Sequence, residues 1–342
     1  MKILKNSFFA ALALVLMTAC AKPLVKISLP ENPTEQTLFA AEHLTQALEA
    51  NGYVVAENAD QTIVLGLNAE GLKKEGFRIE NDGKTITVTG HDGSGLLYGC
   101  RELIDRMEAT GELNAPELFE DAPEMVLRGT CIGVQKTYYL PGRTVYEYPY
   151  TPENFPWFYD KDLWIKYLDM LVANRMNSVY LWNGHPFASL VKLEDYPFAV
   201  EVDEETFKLN EEIFSFITHE ASKRGIFVIQ MFYNILLSKP FAEHYGMKTQ
   251  DRNRPITPLV ADYTRQSITA FVAKYPNVGL LCCLGEAMAT HEDDVEWFTK
   301  VVLPGVKDGL KEIGRTDEPP VLLRAHDTNC RMVMDAALPI YK

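Results

Sequence analysis

From Met125 onward the sequence repeats one order, an apolar run of strand length followed by a helical pattern, and no other feature restricts the fold so tightly. The runs lie at 126–133, 178–183, 226–233, 279–285 and 320–325. They are nearly continuous in apolar residues, as expected for strands covered on both faces. Between them, helical spacing of apolar residues covers 161–176, 205–224, 264–274 and 292–313. Strands alternating with helices predict a parallel sheet. The longest connections, 134–160, 184–203 and 234–263, each follow the carboxyl end of a strand, where a β/α barrel builds its site. An eight-fold barrel needs about 250 residues. Five strands and the start of a fifth helix at Cys330 occupy 126–342. The expectation is therefore an α/β protein whose residues 123–342 form a (β/α)8-type TIM barrel truncated after about five β/α units. An open five-unit sheet is the alternative. A truncated barrel would leave two sheet edges bare and favour aggregation and inactivity of the chain alone.

The residues before Met125 follow another rule. LVKISL at 24–29 alternates like a strand, and 37–51 has helical spacing ending at Asn51-Gly52. Short strands are expected at 61–66, 76–80 and 84–89, with Asn81-Asp82-Gly83 turning between the last two. Gly90–Gly99 is glycine-rich and leads to a helix around Tyr98–Glu108. Gly93-Ser94-Gly95 and Gly99 lack the spacing and lysine of a phosphate loop and are read as a backbone turn. A small α/β domain over 21–122 results, closed by an acidic, Pro-containing stretch at 117–124.

The amino terminus reads as an address. Lys2 and Lys5 precede an apolar run, Phe8–Met17, too short to span a bilayer, and Thr18-Ala19-Cys20 follows. The pattern resembles a bacterial lipoprotein signal over 1–20, which makes Cys20 the lipidated residue. It implies an exported protein held at the cell envelope by a lipid, with no spanning segment. Ordinary cleavage and an uncleaved anchor are the alternatives. Asp and Glu number 47 against 33 Lys and Arg. That balance, with no basic run, excludes a nucleic-acid binder. The other cysteines, Cys100, Cys131, Cys282, Cys283 and Cys330, lie in or beside apolar segments without metal-like spacing, so no metal site and no cofactor is expected.

Glu286 is the residue best placed for chemistry. It follows the apolar run 279–285 at the end of the fourth strand of the repeat, where a carboxylate is costly unless used or paired. An apolar surround would favour its protonated form and suit a general acid at a glycosidic oxygen. The alternative is a helix-start carboxylate bound by backbone N–H groups or paired with an arginine. Aromatic and polar side chains gather at the other strand ends: Trp182, Asn183 and His185 at the second, Gln230, Tyr233 and Asn234 at the third, Arg324, His326 and Asp327 at the fifth. Sugars present apolar C–H faces beside belts of hydroxyls, so such a set suits a carbohydrate partner. Some of these aromatics are equally placed to fill the space between sheet and helices.

Three stretches carry a family likeness: Glu75-Gly76-Phe77-Arg78-Ile79, Ile86-Thr87-Val88-Thr89-Gly90 and Gly95-Leu96-Leu97-Tyr98-Gly99. They resemble the small N-terminal domain of the family 20 β-N-acetylhexosaminidases and the family 67 α-glucuronidases, in which it precedes a catalytic β/α barrel. The whole chain looks like a Bacteroidetes-type lipoprotein glycosidase related to these families. The resemblance implies glycoside hydrolysis of an oligo- or polysaccharide, with Glu286 as general acid. It also implies a substrate-binding arginine at Arg128, because family 20 opens its barrel with an Arg-Gly pair and Arg128-Gly129 matches. Family 20 sets an aspartate directly before the acid; Gly285 stands there, which puts substrate-assisted chemistry in doubt. Family 67 draws its base carboxylates from later strands, whose positions fall beyond Lys342. A non-catalytic carbohydrate-binding lipoprotein is the other reading. Arg324 and His326 have the charge to meet a uronate carboxylate.

Overall fold

The computed structural model of the chain describes residues 22–141, 148–233, 236–284, 286 and 288–341. The chain forms two compact units, one running to Glu124 and the other from Met125. Among the described residues no helix is long and apolar enough to cross a membrane.

The first unit contains β1 (Leu24–Ser28), α1 (Glu35–Ala50), β2 (Val54–Val55), β3 (Gln61–Gly66), β4 (Phe77–Asn81), β5 (Thr85–Gly90), α2 (Gly93–Thr110) and β6 (Leu118–Asp121). Its sheet order is β2-β1-β3-β5-β4-β6, with β4 antiparallel to both neighbours and the other pairs parallel. Alternation along β5 turns Ile86 and Val88 inward, where they meet the apolar stripe of α2 at Leu96, Leu103 and Met107. Each such buried aliphatic side chain contributes roughly 1.5–3 kcal/mol relative to exposure.

Two expectations are corrected here. Gly93-Ser94-Gly95 is the first turn of α2, not a turn leading to a later helix. Asp92 caps that helix, its Oδ1 accepting from Gly95 N at 2.9 Å. The glycines are there because α2 presses on the sheet: a Cβ on Gly95 would lie 2.1 Å from Gly76 O, and one on Gly99 2.6 Å from Val88 Cγ1. The acidic stretch at 117–124 is also more than a boundary, since β6 pairs with β4 from Phe77↔Asp121 to Glu80↔Leu118.

The second unit runs β7 (Gly129–Gly133), α3 (Lys161–Ala173), β8 (Ser178–Trp182), α4 (Phe187–Leu190), α5 (Glu204–Lys223), β9 (Phe227–Tyr233), α6 (Lys239–His244), α7 (Pro258–Lys274), β10 (Val278–Cys283), α8 (His291–Trp297), α9 (Leu303–Glu312), β11 (Val321–Leu323) and α10 (Cys330–Ala337). The sheet order is β11-β10-β9-β8-β7 and every pair is parallel. The α/β class and the succession of five β/α units are as the sequence predicts. Among the described residues the sheet does not close, and β7 and β11 are its edges. Burial follows that order: Leu181, Ile229 and Leu280 in the three central strands are almost inaccessible, whereas Cys131 on β7 is exposed.

Helix starts are fixed by side-chain caps. Asp160, Asp203, Thr257 and Thr290 each accept from the backbone N–H three residues on, opening α3, α5, α7 and α8. The helices bury aromatic stripes against one another: the Phe214 ring of α5 lies 5.6 Å from Phe271 of α7 and 4.7 Å from Tyr275. Between α8 and α9 the chain passes through a π-helical stretch, Phe298–Val302, next to Pro304, which has no N–H to donate to the preceding turn.

Candidate functional site

Parallel strands send all their carboxyl ends to one edge of the sheet, so residues far apart in sequence meet there. Trp182 ends β8, Tyr233 ends β9, Glu286 follows β10, and Arg324 and His326 follow β11. The backbone N–H of Arg324 donates to Cys282 O at 3.0 Å, which fixes the base of its side chain to the sheet. Its guanidinium then reaches three ways. Nη1 donates to the Tyr233 hydroxyl at 3.1 Å, Nη2 lies 3.4 Å from Glu286 Oε1, and the group lies 5.5 Å from the Trp182 ring centroid and 5.9 Å from that of Tyr233. His326 Nε2 approaches the same Glu286 oxygen at 3.0 Å. Trp182 and Tyr233 meet edge to face at 6.4 Å.

Glu286 is therefore not in the apolar surround expected for it. Its side chain is 23% accessible and faces a guanidinium and an imidazole, so the arginine-paired alternative describes its immediate contacts. The 3.4 Å separation from Arg324 is longer than the 2.7–2.9 Å of a strong charge-assisted hydrogen bond. Burial pushes the Tyr233 hydroxyl above its usual range, with the Glu286 charge adding to the rise and Arg324 opposing it. The phenol is thus a neutral donor and acceptor at ordinary pH. Cys283, the last residue of the apolar strand β10, also faces Arg324. Burial pushes its thiol up to about 11. An apolar strand gives no sign that its last residue turns toward a polar cluster, so no signal singled it out.

The remaining candidates separate into three groups. Asn183 and Gln230 sit beneath the rim, fully buried, with their amides spent on the fold. Asn183 Nδ2 donates to Tyr148 O at 2.8 Å and Val134 O at 3.2 Å, and its Oδ1 accepts from His185 N. Gln230 donates to Leu181 O and accepts from the Tyr150 hydroxyl at 3.2 Å. His185 is 7% accessible and shares a hydrogen bond of 3.0 Å with the Tyr263 hydroxyl. Burial forces each of these polar groups to find a protein partner, and each has one.

Arg128 is at the wrong end. It precedes β7, opposite the edge that carries Glu286, and donates to Arg175 O at 2.9 Å and Met125 O at 2.7 Å. The glycine beside it serves packing, since a Cβ on Gly129 would stand 2.0 Å from Ser178 O. Asp327 is exposed beside His326, with a left-handed backbone (φ 54°). Asn234, Gly285 and Cys20 lie outside the described residues. Among the described residues no group of three or more His, Cys, Asp or Glu side chains could hold a metal ion.

Residues 20–119 match the model of glycosyl hydrolase family 20, domain 2. The likeness is to glycoside hydrolases. One solved structure, a GH138 enzyme targeting pectin rhamnogalacturonan II, is 66% identical over 93% of this chain, with a TM-score of 0.87. The chain spans 47% of that enzyme's length. Two further structures are similar in fold alone. The Flavobacterium johnsoniae chitobiase is 15% identical with a TM-score of 0.57, over 94% of this chain and 55% of its own. The Streptomyces coelicolor A3(2) β-N-acetylhexosaminidase of family GH20 is 16% identical with a TM-score of 0.56, over 93% and 69%. Among curated proteins none matches the chain.

Proposed function

We propose that the chain serves a glycoside hydrolase that acts on an acidic, pectin-type glycan, with Glu286 delivering a proton to the glycosidic oxygen. The observation that carries this reading is the convergence of Glu286, Arg324 and His326 beside the faces of Trp182 and Tyr233 at the carboxyl edge of a parallel sheet. A guanidinium and an imidazole complement the carboxylate of a uronic acid, and the indole complements a pyranose C–H face. The 66% identity to an enzyme that targets a pectin supports the same substrate class. A uronide is favoured over an N-acetylhexosaminide because Gly285 replaces the aspartate that would orient an acetamido group. Export and a lipid at Cys20 would hold this activity at the cell envelope, where a polysaccharide is met.

The test is hydrolysis of rhamnogalacturonan II and of aryl uronides and aryl N-acetylhexosaminides by the product of the full-length gene, with calorimetric binding of galacturonate in parallel. Release of a uronic acid that Glu286→Gln abolishes, with galacturonate binding retained, is the expected result. Binding of galacturonate without turnover in either protein favours a non-catalytic carbohydrate-binding role, which the Glu286–Arg324 contact also fits. Absence of both overturns the reading. Labelled palmitate incorporation that Cys20→Ala removes tests the anchor.

A further inference from the structure

We propose that Arg324 is a positioning residue that Glu286 and the carboxylate of an acidic sugar occupy in alternation, so that uronate binding itself releases Glu286 from its cation. The proposal rests on the uronide reading above and adds to it a substrate-triggered rearrangement.

Three features of the geometry point to it. Arg324 is anchored independently of Glu286: its backbone N–H donates to Cys282 O of β10 at 3.0 Å and Nη1 to the Tyr233 hydroxyl at 3.1 Å. The Nη2 side, by contrast, meets Glu286 at 3.4 Å, a distance that gives up most of the strength of a bidentate guanidinium–carboxylate pair. Finally, Arg324 and His326 both approach one oxygen, Oε1, rather than taking an oxygen each. Both side chains of the Arg324–Glu286 pair remain partly open, at 26% and 23% accessible. An incoming carboxylate can thus take the loosely used Nη2 without breaking the Tyr233 contact. Glu286 would then be left with His326 as its partner on Oε1. Repulsion between the two carboxylates would favour Glu286 taking up a proton from solvent, and the neutral carboxyl, released from Arg324, would carry that proton to the glycosidic oxygen. A neutral sugar stacking on Trp182 would leave the pair intact, so the arrangement discriminates by charge before any bond is broken.

Competition for one guanidinium has a thermodynamic signature. Removing the resident charge by Glu286→Gln is expected to tighten galacturonate binding by about two- to fivefold, the range of a partly exposed ion pair, and to leave galactose binding unchanged. Affinities are read by chemical-shift titration of the whole chain, which reaches millimolar dissociation constants. A double-mutant cycle separates competition from simple repulsion. In the Arg324→Gln background the gain from Glu286→Gln should vanish, or galacturonate binding should be lost altogether; either supports the exchange. The same gain persisting without Arg324 overturns it. Arg324→Lys, which keeps the charge and loses the fork, takes the place of Arg324→Gln if thermal melting shows that variant unfolded. Unchanged or weaker galacturonate binding in Glu286→Gln sinks the exchange while leaving the uronide reading standing. A wild-type protein that binds no galacturonate removes both.

Discussion

Tyr233 accepts a hydrogen bond from Arg324 Nη1 at 3.1 Å, which ties the ends of β9 and β11 together across the intervening β10. The two strands are not neighbours, so this contact sets the guanidinium's height above the sheet independently of the ladder. Tyr233→Phe keeps the ring beside Trp182 and removes only the acceptor. Its expected cost in stability is about 1 kcal/mol, the worth of a half-buried hydrogen bond, visible as a small fall in melting temperature. Galacturonate affinity should drop while galactose affinity holds. Equal losses for both sugars would mean that the hydroxyl does not position Arg324.

A buried carboxylate outside this cluster makes the second unit sensitive to pH. Asp294 on α8 is 1% accessible; its Oδ2 lies 3.5 Å from His291 Nδ1, and Oδ1 has no hydrogen-bond partner among the described residues. Burial raises its pKa above 3.8, with His291 opposing and Asp293 and Asp327 adding to the rise. A carboxyl whose folded pKa is raised binds its proton more tightly in the native state. Its stabilising effect is therefore present below the unfolded value and is lost as pH rises through the folded one. Asp294→Asn should raise the unfolding midpoint at pH 7, by roughly 1 kcal/mol in stability, and change little below about pH 3.8. Melting curves of both proteins across that range check it, and an equal shift at every pH would exclude ionisation as the cause.

The alternation of strand and helix was readable because each central strand is covered on both faces, which leaves an apolar run without period-2 gaps. It placed Trp182, Tyr233, Glu286 and Arg324 at one edge of the sheet. What it cannot separate is a polar residue on the rim from one just below it. Asn183 and Tyr233 both stand at strand ends, but Asn183 has its amide engaged by Tyr148 O and Val134 O from the connection after β7. Those partners lie 35 and 49 residues away and have no trace in local pattern. The surround of Glu286 was misjudged for the same reason: its neighbours along the chain are apolar, while its neighbours in space come from β11.

Arg128 shows how a family motif can mislead about a residue's contacts. Its hydrogen bonds to Arg175 O and Met125 O tie the chain entering β7 to the turn before β8. Arg128→Ala should destabilise the protein by about 1–3 kcal/mol, because charged donors to backbone carbonyls are lost, and should leave galacturonate affinity untouched in the folded fraction. Denaturant unfolding with a parallel binding titration reads both. Reduced affinity at unchanged stability would return Arg128 to the binding site.

The glycines opening α2 offer the sharpest contrast between two nearby, chemically identical positions. A Cβ on Gly93 would meet the Gln36 side chain, its Oε1 at 2.2 Å, and that flexible amide can swing aside. A Cβ on Gly95 would meet Gly76 O at 2.1 Å, a backbone atom of the segment entering β4. Moving it means pushing α2 off the sheet or displacing Glu75, whose N–H is held by Asp92 Oδ2 at 2.9 Å and whose φ is already positive at 60°. Gly93→Ala should therefore cost little, the loss of the Gln36–Ser94 hydrogen bond being offset by the better helix propensity of alanine. Gly95→Ala should cost about 1–3 kcal/mol or more through overpacking. Thermal unfolding of the two variants side by side decides the matter. Comparable melting temperatures would show that α2 can lift from β4 and that the close approach is not what requires glycine there.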